Sequence, residues 1–253
     1  MTIYNHQNFL EKAIYSILRQ SFKNWELIAC ENGSLDNSKK ILKKFKDKRV
    51  KKFFFKKNIG RTNCLNFALK KAKGDYIAIF DSDDLALPQR FKKQFEYLEQ
   101  KKDIMLLGTW YSWVDEDNSI GKEIKSKISE KFVRKLLFAN LIGHSTTMFR
   151  RKLINDIGNY PNQYKYMQDY AFFLKIYKKF KIDILPINLM KCRIHHQNSE
   201  TFRVSMTKIV EKENLKLLNW TKNNFKFSII EKYYFYFLYL KLKVKILKKK
   251  YLN

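Results

Sequence analysis

An α/β fold, with a mostly parallel sheet flanked by helices and a C-terminal helical basic tail, is what this 253-residue sequence predicts. Three observations carry that prediction. Over the first hundred residues, short runs rich in strand formers alternate with stretches of about 10 to 15 residues whose apolar positions recur at helical spacing. Acidic or glycine-containing turns follow those runs, where ligands gather in parallel sheets. From about Phe202 onward the pattern is helical and lysine-rich, with no proline or glycine.

The elements follow in order. Phe9, Leu10, Ala13, Ile14, Ile17 and Leu18 recur at three and four residues and predict a helix, and residues 25–30 read as a short buried strand. Asp36 is placed to cap a second helix running to Phe45, and residues 50–55 form a second strand. A loop at Asn58-Ile59-Gly60 leads into a helix over 62–73, ended by Gly74, and a third strand covers 76–80. Pro88, in a first helical turn, opens a helix to about Lys101. Residues 104–114 are a long strand, 117–121 a turn, 145–150 a strand and 168–179 a helix.

Composition narrows the classes of function. The net charge of +28 admits nucleic acid, an anionic membrane surface, or the drift of a lysine-, asparagine- and isoleucine-rich composition. The lysines run along nearly the whole chain and form no single basic module, so no specific nucleic acid is expected. Cys30, Cys64 and Cys192 are widely spaced and odd in number, which suggests neither a disulfide framework nor a zinc site and suits a reducing cytoplasm. The first residues carry no basic-then-apolar leader, and the aromatic run at 233–240 falls far short of the ~20 residues that span a bilayer. A cytoplasmic protein is expected, with a peripheral position at the inner face of the cell membrane as an open option.

Asp81-Ser82-Asp83-Asp84 puts three carboxylates into four positions directly after a strand. Such carboxylates offer hard oxygens to Mg²⁺ or Mn²⁺, and a cation there can neutralise a diphosphate leaving group. By itself a D-x-D string is more readily a solvated helix-capping turn. Glu31-Asn32-Gly33-Ser34 also follows a strand, and Gly33 permits a sharp turn that brings backbone amides near a ligand. Alone, Asn-Gly is an ordinary turn dipeptide, and Asn58-Ile59-Gly60 an ordinary helix entry.

Taken in order and spacing, these residues resemble the family 2 glycosyltransferases, over roughly residues 3–199. Ile3-Tyr4-Asn5 is similar to the family's P-V-Y-N strand end, and residues 13–21 to its A-I-x-S-I-L-x-Q-T helix. Glu31-Asn32-Gly33-Ser34-Leu35-Asp36 stands where the family has D-D-G-S-T-D, Asn58-Ile59-Gly60 matches N-x-G, and residues 72–78 lead into the acidic cluster as A-x-G-E-Y-I-A does. Downstream, residues 144–150 resemble H-S-S-V-M-F-R, Gln168-Asp169-Tyr170 resembles Q-D-Y, and Arg193-Ile194-His195 resembles R-I-H.

The resemblance implies a Rossmann-like, A-type nucleotide-sugar-binding domain over residues 1–201, with 202–253 as a basic amphipathic tail. Tyr4, Glu31, Asn58, Asp81 and Arg193 would bind the nucleotide sugar; Asp83, with Asp84 and His195, would hold Mg²⁺ or Mn²⁺; Asp169 would be the catalytic base. The implied donor is a nucleoside-diphosphate sugar, the acceptor a glycan or lipid-linked hydroxyl, the setting cell-surface polysaccharide synthesis. Against the family, most of the first strand is missing, which keeps open a truncated, inactive relative that binds nucleotide sugars or protein. Charge-driven nucleic-acid binding and nucleotidyl transfer are the more distant alternatives. Ile230, Tyr233, Phe237, Leu240, Val244 and Leu247 recur at three and four residues among lysines, a pattern that suits either an anionic membrane surface or packing on the catalytic domain.

Overall fold

The computed structural model describes residues 1–117, 119–125, 134–194 and 208–251. A parallel sheet orders β1 (Thr2–Ile3), β2 (Leu27–Glu31) and β3 (Val50–Phe54). A second sheet contains β4 (Tyr76–Ala78), β5 (Leu85–Ala86), β6 (Ile104–Val114), β7 (Ile120–Ile124), β8 (Met148–Arg150) and β9 (Lys181–Arg193), in the order β4-β8-β6-β9-β5 with β7 on β6. In the second sheet β6 and β9 run parallel, and the other pairs are antiparallel. The helices are α1 (Leu10–Leu18), α2 (Ser38–Lys44), α3 (Arg61–Lys71), α4 (Arg90–Gln100), α5 (Leu153–Ile157), α6 (Gln168–Lys179), α7 (Lys208–Asn224) and α8 (Ile229–Tyr251). The α/β class holds; the sheet expected as one piece is divided in two.

Most elements fall within two residues of the sequence reading, and the differences have local causes. Residues 145–150 shorten to a 3₁₀ turn, His144–Thr146, followed by β8. There the Thr146 and Thr147 hydroxyls donate to the carbonyls of Gly143 (2.7 Å) and His144 (2.8 Å), which favours a turn over a ladder. The long strand β9 escapes the sequence reading because Asp183, Pro186 and Lys191 interrupt its apolar run. Its pairing with β6 steps from Leu185–Thr109 to Asn188–Trp110, so Pro186, which lacks an amide proton, sits in an irregularity of the ladder. Asp36 ties the entry to α2 as expected, accepting from the amides of Ser38 and Gln7, each at 2.9 Å.

Successive side chains of the central strands enter opposite cores, as the period of two requires. On one face Leu65 and Leu69 of α3, Phe172, Phe173 and Ile176 of α6, and Leu153 of α5 meet Ile77, Leu106, Phe149 and Ile184. On the other, Ala13 and Ile17 of α1 and Phe91 and Leu98 of α4 meet Leu107, Met148, Leu185 and Met190. A third cluster seals the parallel sheet under α1 and α2 through Ile3, Leu10, Ile14, Ala29, Leu42 and Val50.

One cation sits inside this apolar frame. Arg90, at the start of α4, has no exposed surface. Its guanidinium donates to the carbonyls of Ile79 (2.8 Å) and Thr147 (3.2 Å) and to Gln94 Oε1 (3.0 Å), and so pins the strand end that precedes Asp81. Burial lowers its pKa to about 10, which leaves it charged at neutral pH. Gln20, two residues past α1, completes the tie: its amide donates to Leu87 O (2.8 Å) and accepts from the Phe91 amide (3.1 Å). Replacing Arg90→Met removes the donor and leaves those buried acceptors unpaired, and is expected to destabilise by about 2–4 kcal/mol. Urea unfolding of the variant measures this, and a loss below ~1 kcal/mol would show that Arg90 is not the tie described.

Candidate functional site

The C-terminal ends of β1, β2 and β4 converge on the acidic turn. Thr2 and Ile3 of β1 lie opposite Cys30 and Glu31 of β2, which places Tyr4, half-exposed, beside the Glu31 turn. Glu31 is buried and accepts from its own turn at the Ser34 amide, 2.5 Å away. Gly33 has φ +71°, and a Cβ there would stand 2.4 Å from the Lys57 carbonyl carbon. Only glycine accommodates both that conformation and that approach. The contact brings in Asn58, whose Oδ1 accepts from Asn32 Nδ2 (3.1 Å) and from the Gly60 amide (2.8 Å). The Asn58 side chain thus fastens one loop to the next at the mouth of the site.

The acidic turn is fastened from several sides. The Ser82 hydroxyl donates to Thr2 O (3.0 Å) and lies 2.6 Å from His6 Nδ1. Asp81 receives both its hydrogen bonds from Arg61 Nη2, at 2.9 and 3.0 Å, and Arg61 is the first residue of α3. Asp84 is buried, and its Oδ1 accepts from the Arg193 amide at 2.8 Å. Burial, then the charges of Asp83 and Asp81, push the Asp84 carboxyl well above its ordinary range. The Arg193 guanidinium donates to the carbonyls of Asp83 (2.9 Å), Asp115 and Glu116 (3.2 Å), and lies over the Phe9 ring at 4.5 Å. Arg193 therefore reaches the cluster expected of it and there grips main chain. His195 lies outside the described residues.

Asp169 reaches the same neighbourhood from the far end of the chain. It sits in the first turn of α6, half-buried, and its Oδ2 accepts from Asn140 Nδ2 at 3.0 Å. Between Asp169 and Asp81 stand His144 and Tyr160, with His144 Nε2 2.9 Å from the Tyr160 hydroxyl and His144 Nδ1 3.5 Å from Arg61 Nη2. A guanidinium can only donate, so Nδ1 is the accepting nitrogen and Nε2 carries the proton toward Tyr160. Burial lowers the His144 pKa, and the charges of Asp81 and then Asp169 oppose it. Burial likewise raises Tyr160, and the same two carboxylates add to the rise. Two carboxylates far apart in sequence thus act on one buried His–Tyr pair.

The chemistry of the acidic turn suits a hard divalent cation, which would offset the like charge of Asp81, Asp83 and Asp84. Among the described residues no three His, Cys, Asp or Glu side chains form a ready cation cage. One or two carboxylates of the turn, together with phosphate oxygens of a ligand, are what Mg²⁺ or Mn²⁺ commonly requires.

Sequence reasoning passed over four contributors. Arg61 carried a signal, since it directly follows the Asn58-Ile59-Gly60 loop at a helix start. Tyr160 and Asn140 carried none. Glu213 of α7 carried none either, and its place is unexpected. Buried within the fold, its carboxylate accepts from the amides of Lys165 (2.7 Å), Tyr166 (3.0 Å) and Met167 (3.1 Å), the residues that lead into the helix bearing Asp169. A carboxylate from the tail serves as the cap of α6.

A model of glycosyl transferase family 2 matches residues 1–158. An uncharacterized glycosyltransferase of Methanocaldococcus jannaschii is 34% identical over 232 residues, 89% of this chain and 80% of its own length. The UDP-Glc:alpha-D-GlcNAc-diphosphoundecaprenol beta-1,3-glucosyltransferase WfgD of Escherichia coli is 29% identical over 186 residues, 73% of this chain and 71% of its own. In fold, the chain is similar to S. aureus TarS 1-349 in complex with UDP-GlcNAc, with a TM-score of 0.74 and 19% identity over 95% of this chain and 70% of that one. It is also similar to the mannosyltransferase PcManGT of Pyrobaculum calidifontis in complex with GDP-Man and Mn²⁺, with a TM-score of 0.65 and 14% identity over 97% of this chain and 68% of that one.

The Glu213 contacts yield a local prediction. Glu213→Ala leaves three amides without their acceptor, so hydrogen exchange at Lys165, Tyr166 and Met167 should accelerate at least about tenfold, the equivalent of ~1.4 kcal/mol of local protection. Unchanged exchange at those amides would remove Glu213 as the cap.

Proposed function

The chain belongs to glycosyl transferase family 2, and from that premise we propose that it is an inverting transferase moving a sugar from a nucleoside diphosphate to a hydroxyl of a glycan or lipid-linked saccharide. Cell-surface polysaccharide synthesis is the setting we assign to it, and the similarity to WfgD supports that assignment. The observation that supports the reading is that Arg61 joins Asp81 to His144, and that the buried His144–Tyr160 pair lies within the electrostatic reach of both Asp81 and Asp169. A transferase needs one group for the departing diphosphate and another for the incoming hydroxyl, and these two carboxylates, far apart in sequence, act on the same buried His–Tyr pair.

In this scheme the nucleoside lies against Tyr4 and the Glu31 turn, with Asp81 beside the ribose. Asn58 shapes the entry by holding the loops together. Asp83, with Asp84 behind it, would hold Mg²⁺ or Mn²⁺, which supplies positive charge to the diphosphate. Arg61 adds charge at the same point, from the N-terminus of α3, where the helix dipole favours anions. Arg193 keeps the turn closed through the Asp83 carbonyl. Asp169 accepts the proton of the acceptor hydroxyl as its oxygen bonds to the anomeric carbon. The bond to the nucleotide oxygen breaks with its electron pair going to the diphosphate, and attack from the opposite face inverts the configuration. Asn140 holds Asp169 Oδ2 and so orients the other oxygen for that task.

Two substitutions separate these roles. Asp169→Asn should lower transfer by about 10²–10⁴-fold while leaving Mn²⁺-dependent thermal stabilisation by the donor intact. Asp83→Asn should lose that stabilisation as well as transfer. A panel of nucleotide sugars screened by thermal shift and by product formation supplies both readouts, and wild-type activity in either variant would end the assignment.

A further inference from the structure

The tail helix α8 presents apolar side chains on two opposite faces. Its inner face, with Phe235, Leu238, Tyr239 and Leu242 half-buried or buried, turns toward the fold. Its outer face carries Ile230, Tyr233, Phe237, Leu240, Val244 and Leu247, all at least half-exposed, from 50% at Val244 to 80% at Ile230. At ~100° per residue these six fall within a stripe about 100° wide, nearly opposite the buried face. Monomeric proteins rarely leave so continuous an apolar surface to water without a partner.

The partner is specified by charge. On the same projection Lys232 and Lys243 flank one edge of the stripe and Lys241 the other. The acidic residues of α7 and α8 all turn inward: Glu211 pairs with Lys245 at 3.0 Å, Glu213 caps α6, and Glu231 is bound by Arg134 at 2.5 Å. Beside the Lys232 edge, a cleft of about 420 Å³ between α7 and α8 is lined by Phe227, Phe235 and Tyr236 together with Lys222, Lys226 and Lys232. A second copy of the chain would set lysine rims against lysine rims, on a molecule of net charge +28. An apolar stripe bordered by cations is instead what a helix lying in the plane of an anionic bilayer presents, with Tyr at headgroup depth.

We propose that the outer face of α8 docks on an anionic lipid surface, burying the stripe among acyl chains, with Lys232, Lys241 and Lys243 at lipid phosphates. This deepens the reading above by naming a partner surface, and it rests on that reading only for its purpose, delivery of the enzyme to lipid-linked acceptors. Other residues of α8 link it to the segment that holds Asp169: Arg134 binds Glu231, Phe138 packs on Tyr234 at 5.1 Å, and Asn140, two residues on, donates to Asp169.

The test is co-sedimentation of the full chain with extruded vesicles, of phosphatidylcholine alone or with about a third phosphatidylglycerol, at low and high salt. Binding should require the anionic lipid, weaken with salt, and fall at least about tenfold in the triple variant Tyr233→Gln, Phe237→Gln, Leu240→Gln. Lys232→Gln with Lys241→Gln and Lys243→Gln should weaken it by a similar factor. Circular dichroism and donor-induced thermal shift, unchanged in both variants, would show that the fold and the donor site are intact, so that failure here is separate from failure of the catalytic reading. Equal binding by wild type and the apolar variant, or no binding by wild type, would overturn the proposal. So would a wild-type dimer that the apolar variant converts to monomer, which would assign the face to a second copy.

Discussion

Three carboxylates within four residues repel one another, and the architecture is organised around keeping that turn closed. Each restraint comes from a different element. Arg61 at the head of α3 takes the Asp81 carboxylate, Arg193 at the end of β9 takes the Asp83 carbonyl and offers its amide to Asp84, and Arg90 beneath holds the strand end from which the turn departs. Ser82, buried at the middle of the turn, fixes it to β1. The cost of gathering like charges is met by cations and main-chain dipoles, and Asp84 is held above the ordinary carboxylate range first by its burial and then by its two neighbours. The turn is thereby held in one place by restraints that arrive from β1, α3, α4 and β9.

How much of this was legible in the sequence varied with the range of the interaction. The helices and strands of the first hundred residues were readable because their signals are local: apolar period, strand formers, a capping Asp36, a Gly33 that no other residue replaces. Ser16 and Gln20 were legible only as letters of a resemblance. Their work is tertiary, since Ser16 Oγ accepts from the Ala86 amide at 3.1 Å and Gln20 ties α1 to the start of α4. The division into two sheets was not readable, because it depends on which strands return antiparallel after residue 84 and nothing in a strand's own residues states its partner.

The site was legible in the same graded way. Asp81, Asp83 and Asp84 announce themselves by density, and Asp169 by its collinear place in the family pattern. The distant supports, His144 against Tyr160, Asn140 against Asp169 and Glu213 against the amides of 165–167, join segments that no periodicity relates. The tail was read as amphipathic with two destinations open, and the structure uses both sides of it: one face of α8 packs inward, the other stays in solvent. Apolar faces on opposite sides leave a sequence profile with no single direction, and so α8 could not be assigned to core or surface before its neighbours were known.

The Glu213 cap also bears on how such proteins can diverge. The tail lies beyond residues 1–158, the segment that the family model matches. Exchange of this tail is constrained by a single helical register: a one-residue slip of α7 would rotate the carboxylate by ~100° and strand three amides at the entry to α6. A lineage that exchanged this end of the chain would therefore have to supply an anion at one angular position or give up three hydrogen bonds at the entry to α6.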